Sequence, residues 1–250
     1  MSTVKTAIGR FVWHDHVSND PDKARAFYSE LLGWETEVFE VGEIVYPMIK
    51  VNETTHGGFG PAQGGAPPHW LGHIGIEDVD ETVAQAEGAG GSVLAPPMDI
   101  PEVGRMAVMR DPQGAVFSVF SSASDDWTPT EGVFVWDELH TTDVEGAKAF
   151  YGEVIGWSAN DMDMGEGFTY TMFESGGEQR AGCMTIMQPE MPPNWLTYIG
   201  TDDVDATCTR AEELGAQKLM GPMDIPGVGR SAVLTDPTGA VFALFKPSES

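Results

Sequence analysis

The chain is poor in cysteine and in positive charge. Of its 250 residues only Cys183 and Cys208 are thiols; they form no Cys-x-x-Cys, and both fall in the second half. That excludes a disulfide framework and a cysteine-built zinc site, and a reducing, cytoplasmic setting is expected. Lys and Arg number 13 against 39 Asp and Glu, for a formal net charge of −26. Eighteen of the acidic residues lie up to Asp125, so the excess is spread along the chain and is not a tail. Such a field repels nucleic acid and anionic membranes, so neither is an expected partner. It favours solubility and attracts cationic ligands. No apolar run is long enough to span a bilayer. The opening MSTVKTAIGR has no hydrophobic core of a signal peptide, and none is expected. Missing too are GxGxxG, the P-loop, GxSxG and HExxH.

What is present is written twice. FYSELLGW (27–34) returns as FYGEVIGW (150–157), and PPHWLGHIGIEDVD (67–80) as PPNWLTYIGTDDVD (192–205). PMDIPEVGR (97–105) returns as PMDIPGVGR (222–230), and DPQGAVF (111–117) as DPTGAVF (236–242). The offset is 123 early and 125 later. Matches in one order at a nearly constant offset mean two homologous domains. They are expected over 1–122 and 132–250, with a linker at 123–131 inside the Ser-, Asp- and Thr-rich stretch SSASDDWTPTEG (121–132).

Each copy divides again. Phe11–Val17 alternates as a strand, and 21–32 has helical spacing with Pro21 near its start and Gly33 as its stop. Strands are then expected over 34–41, 46–51 and 54–59. After Pro67-Pro68 the pattern restarts, with a strand over 70–76, a helix over 79–89 and strands over 92–95, 105–109 and 116–120. The order β-α-β-β-β thus occurs four times. The fold class is α+β. One helix covers one face of a four-stranded sheet, so each domain is expected to pair two such units into a cup-shaped sheet.

This order, with its local signatures, resembles the vicinal oxygen chelate superfamily of glyoxalases, bleomycin-resistance proteins and extradiol dioxygenases. The residues that carry the resemblance are Asp20, Phe27-Tyr28, Gly33-Trp34, Asp78-Val79-Asp80, Gly104-Arg105 and Asp111-Pro112-Gln113-Gly114. They recur as Asp143, Phe150-Tyr151, Gly156-Trp157, Asp203-Val204-Asp205, Gly229-Arg230 and Asp236-Pro237-Thr238-Gly239. The duplicated form looks like the tandem glyoxalase-like proteins of actinobacteria, some of them encoded beside antibiotic pathways. The resemblance implies metal ligands seven residues before the first-helix aspartate, seven before the Asp-Val aspartate, and four after the glycine of DPxG. Those positions hold Trp13, Leu71 and Ser118 in the first copy and Trp136, Leu196 and Ala243 in the second. None is a strong ligand for Zn²⁺, Fe²⁺ or Ni²⁺, so no metal or other cofactor is expected.

His14-Asp15-His16 nevertheless has the composition of a metal site. If Trp13 faces the cup, strand alternation puts Asp15 with it and turns His14 and His16 to the other side. The second copy has Asp137 and Leu139 at those places, so the pair is not shared. The two histidines are read as hydrogen-bonded or surface groups. The same alternation lists the inward side chains. Cup one receives Trp13, Asp15, Leu71, His73, Ser118 and Phe120. Cup two receives Trp136, Glu138, His140, Leu196, Tyr198, Ala243 and Phe245, with Met172, Met184 and Met187 nearby. His56 and Arg180 precede turns at the mouth. Trp34, Trp70, Trp157 and Trp195 line a rim or fill the core. Arg105 and Arg230 are read as pinning a hairpin.

Such apolar, aromatic surfaces suit a flat organic ligand. Glu138 and His140, two apart on one strand, are the candidate acid–base pair, and Asp15 with His73 a looser equivalent. The first expectation is a metal-free binder of a hydrophobic, aromatic small molecule, an antibiotic or its precursor, in an accessory or resistance role. The alternative is a cofactor-independent enzyme using Glu138 and His140 for proton transfer. A further alternative is a metal-dependent lyase or dioxygenase. A monomer or homodimer fits each.

Overall fold

A computed structural model describes residues 7–41, 44–124, 132–165, 167–188 and 190–248. Most of the expected linker therefore lies outside the described residues. The first half runs β1 (Phe11–Ser18), α1 (Pro21–Leu32), β2 (Glu35–Val41), β3 (Ile44–Val51), β4 (Thr54–Pro61), β5 (His69–Gly75), α2 (Val79–Gly88), β6 (Ser92–Ile100), β7 (Gly104–Arg110) and β8 (Val116–Ser122). The second repeats the order: β9 (Phe134–Thr141), α3 (Val144–Val154), β10 (Ser158–Asp163), β11 (Thr169–Ser175), β12 (Glu178–Thr185), β13 (Asn194–Gly200), α4 (Val204–Glu213), β14 (Gln217–Ile225), β15 (Gly229–Thr235) and β16 (Val241–Pro247).

Each half forms one curled eight-stranded sheet. The strand orders are β2-β3-β4-β1-β5-β8-β7-β6 and β10-β11-β12-β9-β13-β16-β15-β14. The fold is thus α+β with tandem glyoxalase-like domains. The four helices named above each begin at an aspartate for one physical reason. Asp20, Asp78, Asp143 and Asp203 each accept the backbone N–H three residues on, at 3.0 Å. Such a cap contributes about 1 kcal/mol per helix. Gly33 ends α1 in the left-handed region, at φ 70°. The largest departure from the sequence expectation is β6, which continues five residues further, through Pro96-Pro97 to Ile100, while β3, β4, β7 and β8 gain two residues each. Prolines are tolerated in β6 because it is an edge strand and two register shifts open its pairing with β7.

Compact packing does not follow the sequence halves. One unit comprises residues 1–13, 72–129 and 136–195; the other comprises 14–71, 130–135 and 196–250. In the first, Val79, Val83 and Ala86 of α2 and Ala147, Phe150 and Tyr151 of α3 share a core with Phe117, Val119, Leu139 and Phe173. In the second, Ala24, Phe27 and Tyr28 of α1 and Val204, Cys208 and Ala211 of α4 do so with Ile49, Phe59, Ile199, Phe242 and Leu244. In each unit the helices bury their apolar stripe against strands from both halves of the sequence.

Polar locks seal these cores. In the first unit Trp195 Nε1 donates to Tyr151 Oη (2.9 Å), which donates to Asp111 Oδ2 (3.1 Å). Asp111 Oδ1 accepts the backbone N–H groups of Gln113, Gly114 and Ala115. In the second unit Trp70 Nε1 donates to Tyr28 Oη (3.0 Å), which donates to Asp236 Oδ2 (3.1 Å). Asp236 Oδ1 takes Thr238, Gly239 and Ala240. The aspartate of DPxG is therefore both turn former and helix anchor.

Candidate functional site

Alternation along β9 sorts its side chains. Leu139 is fully buried against α3, while Glu138 and His140 take the opposite face. Sheet register then brings neighbours to that face. Glu138 pairs with Gly182, and His140 with Met184, on β12. Gly182 pairs with Met172 on β11, and Met172 with Asn160 on β10. One row further on, Tyr170 pairs with Met162.

These residues are linked by hydrogen bonds. His140 Nε2 lies 2.8 Å from Glu138 Oε1, and Tyr170 Oη donates to Glu138 Oε2 at 2.7 Å. Trp136 Nε1 donates to Tyr170 Oη at 3.0 Å. Gly182 makes this possible, because a Cβ there would overlap the Tyr170 hydroxyl. Burial and then the Glu138 charge push the Tyr170 phenol well above its usual range, so it remains a donor at neutral pH. Apolar exposure continues outward to the end of β10 and its turn into β11, where Met162, Met164 and Phe168 are 42%, 44% and 38% exposed. The site is a carboxylate–imidazole–phenol chain set in methionine and tryptophan, all within one compact unit.

The first half holds a partial copy. Tyr46 Oη donates to Asp15 Oδ1, and a Cβ on Gly58 would collide with that hydroxyl. Asp15 pairs with Gly58, and Gly58 with Met48. Val17, paired with Gly60, stands where the second copy has His140. Sequence reasoning missed both tyrosines. The signal was Tyr46-Pro-Met48 returning as Tyr170-Thr-Met172 at offset 124.

The other predicted residues are placed elsewhere. Trp13 is half-buried against Ala7, Val12 and Phe120. His73 pairs in register with Ser118, whose fully buried hydroxyl donates to Ala107 O at 2.9 Å. Leu71 and Leu196 are buried. Tyr198 pairs with Ala243 and meets Phe245 edge-on at 6.2 Å. His56, whose burial lowers its pKa, bonds through Nε2 to Thr54 Oγ1 (2.8 Å) in its own hairpin. Arg180 pairs with Glu178 at 2.7 Å while its buried Nε lacks a partner. Met187 is 67% exposed. Trp34, Trp70, Trp157 and Trp195 are core residues rather than a rim. Arg105 bridges Asp80 and Asp99, and Arg230 bridges Asp205 and Asp224, which pins the hairpin to the neighbouring helix in each copy. Burial pushes the Cys183 thiol up to about 12, which leaves it inert at neutral pH.

His14 and His16 sit on the helix side. His14 stacks on Phe134 at 4.2 Å. His16 is fully buried, with Nε2 2.7 Å from Asp236 Oδ2 and its ring edge-on to Trp70. Among the described residues no three His, Cys, Asp or Glu side chains converge to hold a metal ion. The donor set at Trp13, Leu71, Ser118, Trp136, Leu196 and Ala243 does not fit a divalent cation, because the one hydroxyl it offers is committed to a carbonyl. A small cleft of about 20 Å³ lined by Ala7, Ile8, Ile76 and Phe120 carries no ionisable side chain.

Comparison with known proteins gives one consistent result. Residues 12–120 match the family described as Glyoxalase-like domain, and residues 134–244 the Glyoxalase/Bleomycin resistance protein/Dioxygenase superfamily. The putative glyoxylase CFP32 of Mycobacterium tuberculosis is 35% identical over 94% of this chain and 94% of its own length. The anthracycline biosynthesis protein DnrV of Streptomyces peucetius is 31% identical over 97% and 95%. Among solved structures, the Mn(II)-bound glyoxalase from Novosphingobium aromaticivorans superposes with a TM-score of 0.64 at 18% identity, covering 96% of this chain and 82% of that one. An extradiol ring-cleaving dioxygenase from B. fuscum superposes with a TM-score of 0.67 at 16% identity, covering 97% and 72%. No helix among the described residues is long and apolar enough to cross a membrane.

Proposed function

Because the chain belongs to the glyoxalase/bleomycin resistance protein/dioxygenase superfamily, we propose that it is a member that binds a flat aromatic small molecule without a metal ion. The observation that carries this reading is the Glu138–His140–Tyr170 chain on a face shared with Trp136, Met172, Met184 and Asn160. Methionine and tryptophan supply adaptable apolar contact, and the polar chain orients the ligand. The relationship to a protein named for anthracycline biosynthesis supports an antibiotic or its precursor as the ligand. Quenching of tryptophan fluorescence by planar aromatic compounds tests the binding. Elemental analysis of untagged protein purified without chelator tests the metal. Under about a tenth of an equivalent agrees with the proposal, whereas one or two equivalents would return the lyase and dioxygenase readings to first place.

A second reading, proton transfer without a cofactor, is favoured by the 2.8 Å Glu138–His140 contact. A carboxylate beside an imidazole is a recurrent general acid–base arrangement. It predicts turnover that His140→Asn abolishes, whereas a pure binder shows no turnover at all.

A further inference from the structure

The hydrogen on His140 is assigned by its partners. Nε2 faces Glu138 Oε1 at 2.8 Å, and a carboxylate only accepts, so Nε2 carries a hydrogen, and in the neutral ring Nδ1 is the atom that keeps a lone pair. The rest of the chain is committed. Glu138 Oε2 is taken by Tyr170, and Tyr170 Oη both donates to Glu138 and accepts from Trp136. The imidazole is also more open than the carboxylate, with side-chain exposures of 16% and 9%. A ligand approaching this face therefore meets an acceptor, His140 Nδ1.

We propose that the ligand is an acidic phenol, bound with its hydroxyl proton transferred to His140 Nδ1. This rests on the reading of the same face as an aromatic-ligand site. The phenol O–H bond breaks, its electron pair stays on the phenolate oxygen, and a new N–H bond forms on Nδ1. The imidazolium keeps its Nε2–H on Glu138, which faces the new positive charge. Ligand, His140 and Glu138 together carry the same net charge before and after, so the acidic field of the chain does not oppose the step. An aryl ether offers only an acceptor to an acceptor and is rejected. The first-half copy, with Val17 in place of His140, lacks the proton acceptor.

The probes are 4-nitrophenol, whose anion is coloured, and its methyl ether 4-nitroanisole. Binding is read by equilibrium dialysis, and ionisation by absorbance, at a pH below the solution pKa of the phenol. The proposal predicts that the wild-type protein draws out the nitrophenolate band. It also predicts a preference for the phenol over the ether of about tenfold or more, the range of a hydrogen bond to a charged group. In His140→Asn the band disappears and the preference collapses. Affinity for the ether in that variant reports whether the face is intact, and Glu138→Gln, which removes the counter-charge, weakens the band several-fold. Binding of both probes without band or preference overturns the proposal and leaves the aromatic-binding reading standing. Failure of the wild type to bind either overturns both. A band that survives in His140→Asn overturns the assignment of the acceptor.

Discussion

β1 and β9 are copies of one strand, yet each places a histidine on a different face. His16 aligns with Leu139, and His140 aligns with Val17. His16 points into the helix layer and bonds to Asp236, whereas His140 points to the open face and bonds to Glu138. A step of one position along a strand changes the face, and with it the surroundings of the ring. The buried histidine completes a structural lock, and the open one completes a candidate site.

The locks differ accordingly. Burial raises Asp111, and its backbone, Tyr151 and turn contacts do not fully offset that. Burial pushes Asp236 upward too, but the adjacent His16 ring brings it below the usual carboxylate range. Removing the charge should therefore hurt one lock more than the other. Asp236→Asn is expected to cost about 3 kcal/mol in urea unfolding, because it strands the buried His16. Asp111→Asn is expected to cost about 1 kcal/mol. Equal losses would break the comparison.

The pH dependences should run in opposite directions. The lowered Asp236 contributes stability that is present above the unfolded carboxylate's value of 3.8 and is lost as pH falls through its lower folded value. The raised Asp111 contributes its stability at low pH and loses it as pH rises from 3.8 through its higher folded value. The difference between the two Asn variants should thus shrink on acidification, as urea midpoints across the acid range would report.

On the open face, Tyr170→Phe releases one oxygen of Glu138 and strands Trp136 Nε1. Phenol affinity is expected to fall about tenfold, as for a lost hydrogen bond to a charged group. Tyr46→Phe is expected to leave it unchanged, and dialysis of the two variants side by side makes the test. The smallest effect on stability is expected from Val17→His, within about 1 kcal/mol. It would set an imidazole two positions from Asp15 and add a weaker second phenol site. An unchanged binding stoichiometry would show that the first-half copy lacks more than its histidine.

Much of this was legible in the sequence. The capping aspartates and strand alternation marked the elements, because each signal is local. Glu138 and His140 were legible as a pair, because residues two apart on a strand share a face whatever surrounds them. Tyr170 was not, because its reach to Glu138 depends on the register of β11, β12 and β9, on an irregularity between Phe173 and Glu174, and on the gap left by Gly182. Nor were the locks legible. Tyr151 finds Asp111 forty residues earlier, and Tyr28 finds Asp236 across 208, and no local spacing encodes either contact. The extent of β6 was hidden by prolines that only an irregular edge strand tolerates.

The proposed function rests on a single site, built on His140 in the second half. The stoichiometry of 4-nitrophenol in equilibrium dialysis tests that claim most directly. One molecule per chain, lost in His140→Asn, is the predicted result. Two molecules per chain, or one that the substitution leaves in place, would contradict it.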